Sequence, residues 1–169
     1  KGDFKKAFGI FKQEAQKGDA AAEYHLGIMY DKGEFVPQDR KEALKWFRLA
    51  ADQGHAAAPN NLGIMYYEGE GVLQDYKEAA KWLTVSAERG LAQAKCNLAM
   101  LYATGSGVEQ NLFRAKELVK EGFNDGGTIC AEVWKKYNLS DDNAIEEFQR
   151  NKSVQDAYEL GKKKGSLAC

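Results

Sequence analysis

The stretch AAAEYHLGIMYDKGEFVPQDRKEALKWFRLAADQG, residues 20–54, decides the fold, because the chain writes it three times. It recurs as AAAPNNLGIMYYEGEGVLQDYKEAAKWLTVSAERG at 56–90 and as AQAKCNLAMLYATGSGVEQNLFRAKELVKEGFNDG at 92–126. The spacing is thirty-six residues and the register does not slip: Leu26, Leu62 and Leu98 keep it, as do Tyr30, Tyr66 and Tyr102. Gly33, Gly69 and Gly105 follow, then Val36, Val72 and Val108, then Ala43, Ala79 and Ala115, and Gly54, Gly90 and Gly126 close the units. A period of this length marks a solenoid, in which each unit packs only on its neighbours.

Thirty-six places before the first unit, Asp3, Ala7, Phe11, Ala15 and Gly18 stand where Asp39, Ala43, Phe47, Ala51 and Gly54 stand later. The chain therefore opens on the second half of a repeat. Its missing first half leaves Phe8 and Phe11 short of cover and predicts residues before Lys1 that complete or cap the unit. The expected organisation is an array over 1–127, made of a half repeat (2–18) and repeats 19–54, 55–90 and 91–126. A degenerate helical cap follows at 128–169. There Cys130 falls on the alanine position, Trp134 on the leucine and Asn138 on the tyrosine, with Lys135 in place of glycine. Short helices are expected around Ala144, Ile145 and Phe148, and from Ser153 past Val154, Ala157 and Tyr158.

Each unit reads as two antiparallel helices, so the fold class is all-α, an α-solenoid of helix pairs. In the first helix, Ala22, Leu26, Met29, Tyr30 and Gly33 share one face. Gly33, Gly69 and Gly105 stand where a helix ends on a left-handed residue, a conformation that costs glycine nothing. The second helix opens at Asp39 with Glu42, and at Asp75 with Glu78, aspartate forms of a capping box. Asn111 caps the third copy alone, since Arg114 replaces the glutamate. Gly27 and Gly63 allow the paired helix to approach closely, and Trp46 and Trp82 are expected largely buried between units.

These residues closely resemble the Sel-one-like repeat family, a relative of the tetratricopeptide repeats. The family pattern is matched in the second unit by Ala58, Leu62, Gly63, Tyr66, Gly69, Gly71, Val72, Asp75, Ala79, Trp82, Ala87 and Gly90. The first unit departs at Phe35, where a second turn glycine is expected. The third departs at Ala99, Leu118 and Phe123. The resemblance covers roughly residues 2–127. It implies a right-handed superhelix and a non-enzymatic adaptor or scaffold in protein complexes. Many bacterial members are exported or periplasmic, and the resemblance leans that way for this chain while leaving the compartment open. A cysteine-rich branch with a disulfide in each repeat has been linked to binding or slow hydrolysis of β-lactams. This chain lacks those paired cysteines, so that activity stands only as the alternative, beside a purely architectural segment of a longer repeat protein.

Composition agrees with a binding role and excludes others. The formal net charge of -1 over 169 residues gives no electrostatic ground for a nucleic-acid partner. No apolar run is long enough for membrane insertion. Cys96, Cys130 and Cys169 contain no metal-ligand spacing and no repeat-equivalent pair, so free thiols and no zinc are expected. His25 and His55 lack ligand partners, and His55 is expected simply solvated in a turn. Ser86 replaces a consensus alanine with no histidine beside it. No catalytic constellation and no cofactor is expected.

The first helices carry the candidate site. Tyr24, His25 and Ile28 recur as Asn60, Asn61 and Ile64 and again as Cys96, Asn97 and Met100, preceded by Ala21, Ala57 and Gln93. Stacked first helices line the concave side of such solenoids, so these positions form a continuous strip. Asn61 and Asn97 carry both donor and acceptor for the main chain of an extended peptide, and Tyr24, Ile28, Ile64 and Met100 offer apolar contact. The expected partner is a protein or peptide held in that groove.

Overall fold

The computed structural model describes residues 2–139, and within them lie eight helices and no strand. The helices expected around Ala144 to Phe148 and from Ser153 lie outside the described residues. α1 (Gly2–Gln16) is the lone second helix of the half repeat. The three full units follow as α2 (Ala20–Lys32) with α3 (Arg40–Asp52), α4 (Ala58–Glu68) with α5 (Tyr76–Glu88), and α6 (Ala92–Thr104) with α7 (Leu112–Asn124). α8 (Cys130–Lys136) packs on both α6 and α7. Elsewhere the extensive backbone contacts run between helices consecutive in sequence, which is the pattern of an α-solenoid.

The pairing of the two helices in a unit rests on one close approach. A Cβ on Gly27 would lie 2.5 Å from the Phe47 ring, and one on Gly63 would lie 2.6 Å from Leu83 Cγ. The second-helix side chain thus sits directly on bare first-helix backbone. In the third unit Ala99 replaces glycine and the opposing residue shrinks to Val119, so the volume across the contact is kept. Around this contact Leu26, Leu62, Ala43, Ala79 and Ala115 are all fully buried. Trp46 and Trp82 are half-buried, not largely buried as the sequence suggests. Trp82 packs against both the cluster built from α3 and α4 and the cluster that runs from Tyr66 through α5 to α8, but its ring carries the Arg48 guanidinium, 5.7 Å from the ring centroid. A cation on an aromatic face keeps that face at the solvent boundary.

The turn inside each unit is fixed by the same bonds three times. Gly33, Gly69 and Gly105 adopt φ of 69°, 73° and 74° and end the first helix. The backbone N–H of Asp39, Asp75 and Asn111 donates to the carbonyl of Tyr30, Tyr66 and Tyr102, each at 2.9 Å. Gln38, Gln74 and Gln110 clamp the same turn by donating to the carbonyls of Asp31, Tyr67 and Ala103 at 2.7–2.8 Å. Asp39, Asp75 and Asn111 then accept from the first-turn N–H groups of α3, α5 and α7. The reciprocal arm of the expected capping box is not made. The cap N–H is already committed to a tyrosine carbonyl, and Glu42 and Glu78 turn outward to Lys45 and Lys81.

Neighbouring units meet where the turn of one crosses the start of the second helix before it. A Cβ on Gly71 would lie 2.7 Å from the Arg40 carbonyl, and one on Gly107 would lie 2.1 Å from the Tyr76 carbonyl. Arg40 also reaches across to Glu70 at 2.8 Å. Phe35 holds φ of 68°, the same left-handed value as the glycines that replace it in later units.

The expectation of free thiols is overturned for two of the cysteines: Cys96 and Cys130 form a disulfide joining α6 to α8. Both are fully buried. The sulfurs fit because Gly122 stands where the earlier units carry Ala50 and Ser86; a Cβ there would lie 2.7 Å from Cys130 Sγ. Closing a loop across a sequence separation of 34 stabilises the fold by about 3–4 kcal/mol in the chain-entropy description. The absence of a repeat-equivalent pair misled because α8 is displaced toward α6, bringing the two Cα atoms to 4.9 Å.

Gly107 tests the junction between units. Gly107→Ala forces a side chain into positive φ and onto the Tyr76 carbonyl, and should cost about 2–4 kcal/mol. Gly9→Ala, on α1 with nothing within 4 Å of the added Cβ, should be neutral or stabilising. Urea unfolding of the two variants checks the contrast.

Candidate functional site

The strip expected on the first helices divides into two columns of different character. Tyr24, Asn60 and Cys96 form the inner one, and it faces packing more than solvent. Tyr24 is half-buried and stacks on His55, with centroids 4.3 Å apart and planes 20° apart. Asn60 is only 8% exposed and its side-chain carbonyl accepts from the Asn97 amide at 2.9 Å. Cys96, 0% exposed and tied to Cys130, cannot line a groove, and its assignment to the peptide-binding strip is withdrawn.

The outer column is accessible. His25 is exposed, while Asn61, Asn97, Ile28, Ile64 and Met100 are half-buried. Ile28 and Met100 also pack against the cores beneath them, so their exposed portions are held rigidly. Asn97 gives one donor to Asn60 and keeps its own carbonyl, which makes it a bridge between units as much as a binding group. Asn61 makes no side-chain hydrogen bond among the described residues. Gln93, expected at the head of the column, is consumed: its amide donates to Thr128 Oγ1 at 3.1 Å and its carbonyl accepts the Thr128 N–H at 3.0 Å.

Two groups have roles that sequence spacing missed. His55 is not merely solvated. Its Nδ1 accepts the Ala58 N–H at 3.3 Å, supplying a cap for α4, whose N-cap residue Ala57 has none. Burial lowers its pKa from the ordinary value of 6.5, and the positive charges of His25 and Arg89 add to the shift. The Ser86 hydroxyl is buried and donates to the Ala56 carbonyl at 2.6 Å, tying α5 to the segment that leads into α4 of the same unit. A lone polar residue at an alanine position was the available signal, and its spacing of thirty from Ala56 recurs in the Gln53–Glu23 contact at 2.6 Å and the Lys95–Asp125 ion pair at 2.6 Å.

At the far end of the strip, Tyr67 and Tyr76 place their rings 5.3 Å apart. Tyr137 and Lys136 of α8 lie close enough to act on Tyr67, whose phenol burial pushes above its ordinary value. Among the described residues no group of three or more His, Cys, Asp or Glu side chains could hold a metal ion. No helix among them is long and apolar enough to cross a membrane.

The repeat geometry and sequence comparison agree on the class. The Sel1 repeat matches residues 20–55, 56–91 and 92–122, and the chain belongs to the Sel1 repeat family. Such proteins are typically protein-interaction scaffolds and generally non-catalytic. Comparison with curated proteins gives no match. Among solved structures the chain is similar to a Sel1 repeat protein from Oxalobacter formigenes, at 28% identity and a TM-score of 0.78, over 89% of this chain and 63% of that one. It is also similar to c5321, a protective antigen of uropathogenic Escherichia coli strains with an SLR fold. That match has 37% identity and a TM-score of 0.68, over 70% of this chain and 26% of the antigen. Helicobacter pylori cysteine rich protein B, at 16% identity and a TM-score of 0.57, shares the fold over 75% of this chain and 96% of its own. The chain thus spans less than two thirds of the first two structures.

The His55 cap gives the junction between the first two units a pH dependence. Its folded pKa is lowered, so the unfolded chain binds the proton more tightly. The stabilisation is complete above the ordinary imidazole value and is lost as pH falls through about 6.5 toward the folded value. His55→Asn keeps an acceptor for the Ala58 N–H without titrating. Melting temperature should fall less between pH 7.5 and 5.5 in this variant than in the parent. Parallel profiles would contradict the assignment.

Proposed function

We propose that this chain is a binding module that holds an extended segment of a partner protein along α2, α4 and α6. The observation that carries the proposal is the outer column: one polar residue (His25, Asn61, Asn97) beside one apolar residue (Ile28, Ile64, Met100) in each unit, His25 exposed and the other five half-buried. Such a column offers main-chain hydrogen bonds together with side-chain contact area, the combination that extended peptides use. The contact set is narrower than the sequence suggests. Asn61 has its whole side-chain amide available, Asn97 keeps its carbonyl and one N–H, and Tyr24 contributes an edge while its face stacks on His55. The column itself carries no carboxylate and no lysine, so it favours a segment of low charge.

A peptide-display library selected on the whole chain tests this. Peptides so obtained should lose about ten-fold in affinity with Asn61→Ala, the effect of one or two hydrogen bonds at about 0.5–1.5 kcal/mol each. Lys45→Ala and Lys81→Ala on the second helices remove only exposed ion pairs and should change nothing. Calorimetry that finds full affinity in a folded Asn61→Ala variant moves the site off this column.

A further inference from the structure

The last described helix is attached differently from all the others. α8 has seven residues, and its N-cap Ile129 makes no side-chain hydrogen bond. A helix this short does not persist alone in water. It is joined to the array by the covalent bond from Cys130 to Cys96 and by the backbone approach to α6 that the bond spans.

The space around that bond is built for a bonded sulfur pair. A Cβ on Gly122 would lie 2.7 Å from Cys130 Sγ and 3.1 Å from Cys96 Sγ. One on Gly127 would lie 2.7 Å from Cys96 Sγ and 3.1 Å from Cys130 Sγ. Backbone therefore closes on the sulfurs from α7 and from the turn before α8. Two thiols must stand well beyond bonding distance, and this cradle has no room for them to separate while α8 stays in place.

We propose that α8 docks on α6 only when Cys96 and Cys130 are oxidised, so that the C-terminal end of the strip is completed by disulfide formation. The bond forms by exchange with a disulfide-bearing oxidant. One cysteine thiolate attacks it, the second displaces the mixed disulfide, and the oxidant leaves as a dithiol carrying both protons. Burial of Val133 and Trp134 favours docking but is set against ordering a seven-residue helix and its Gly126–Gly127 connection, and the bridge tips the balance. Docking places Lys136 in register with Ile28, Ile64 and Met100, with its ammonium over the Tyr137 ring at 5.3 Å, which adds a cation to an otherwise uncharged column. Once formed, the fully buried bond is closed to reductant unless α8 opens.

Hydrogen-exchange mass spectrometry on the full chain decides this without reference to any bound peptide. Cys169→Ser removes the third thiol, and the protein is compared after oxidation by a cyclic disulfide, which leaves as its dithiol, and after reduction with dithiothreitol in denaturant followed by refolding in the reductant. Amides of 130–137 should exchange at least ten-fold faster in the reduced protein, while those of α2 to α5 keep their protection. Iodoacetamide should then label Cys96 and Cys130 in the reduced protein and neither in the oxidised one. Equal protection of α8 in both states overturns the proposal. Loss of protection throughout α2 to α5 overturns it as well, because the bond would then hold the array rather than its last helix.

Discussion

The structure depends on the seating of a second-helix side chain on bare first-helix backbone within each unit. Phe47 against Gly27 and Leu83 against Gly63 bring two helices closer than any Cβ would allow. Ala99 against Val119 shows the constraint is on summed volume rather than on glycine itself. A larger residue at either position would push the helices apart and misplace every contact beyond them.

The junctions between units carry polar contacts. Arg89 of the second unit reaches the Ala51 carbonyl of the first at 3.0 Å, and Asn97 of the third reaches Asn60 of the second at 2.9 Å. Alanines dominate the apolar part, so each junction buries little area per residue and relies on satisfied hydrogen bonds for its geometry. This explains why polar residues in strict register were ambiguous from sequence: the same periodicity serves a groove and a junction. Asn61 and Asn97 share a register position, yet one is available and the other is half committed, because only Asn97 has an asparagine on the preceding unit within reach.

The Gln38, Gln74 and Gln110 clamp was present in the sequence as another thirty-six-residue recurrence. The recurrence alone does not disclose the clamp, because a glutamine in a turn has no strong local preference, unlike the aspartate caps beside it. Its role exists only once the first helix has ended and its last carbonyls face back toward the turn.

Sequence by itself determined the repeat, its phase, the helix pairs, the left-handed glycines and the aspartate caps, because each follows from local backbone preference or from periodic burial. It also placed the strip on the first helices. Tertiary structure decided which strip residues are free. Cys96 was taken by a bond to a residue thirty-four places away, Asn60 by the next unit, and Tyr24 by the ring of His55. Those outcomes depend on the distance between side chains of different units, which the spacing of residues along one helix does not fix. The disulfide is the sharpest case. Its cue was a glycine at 122 where the other units have alanine and serine, and that cue acquires meaning only when α8 is seen to lean against α6.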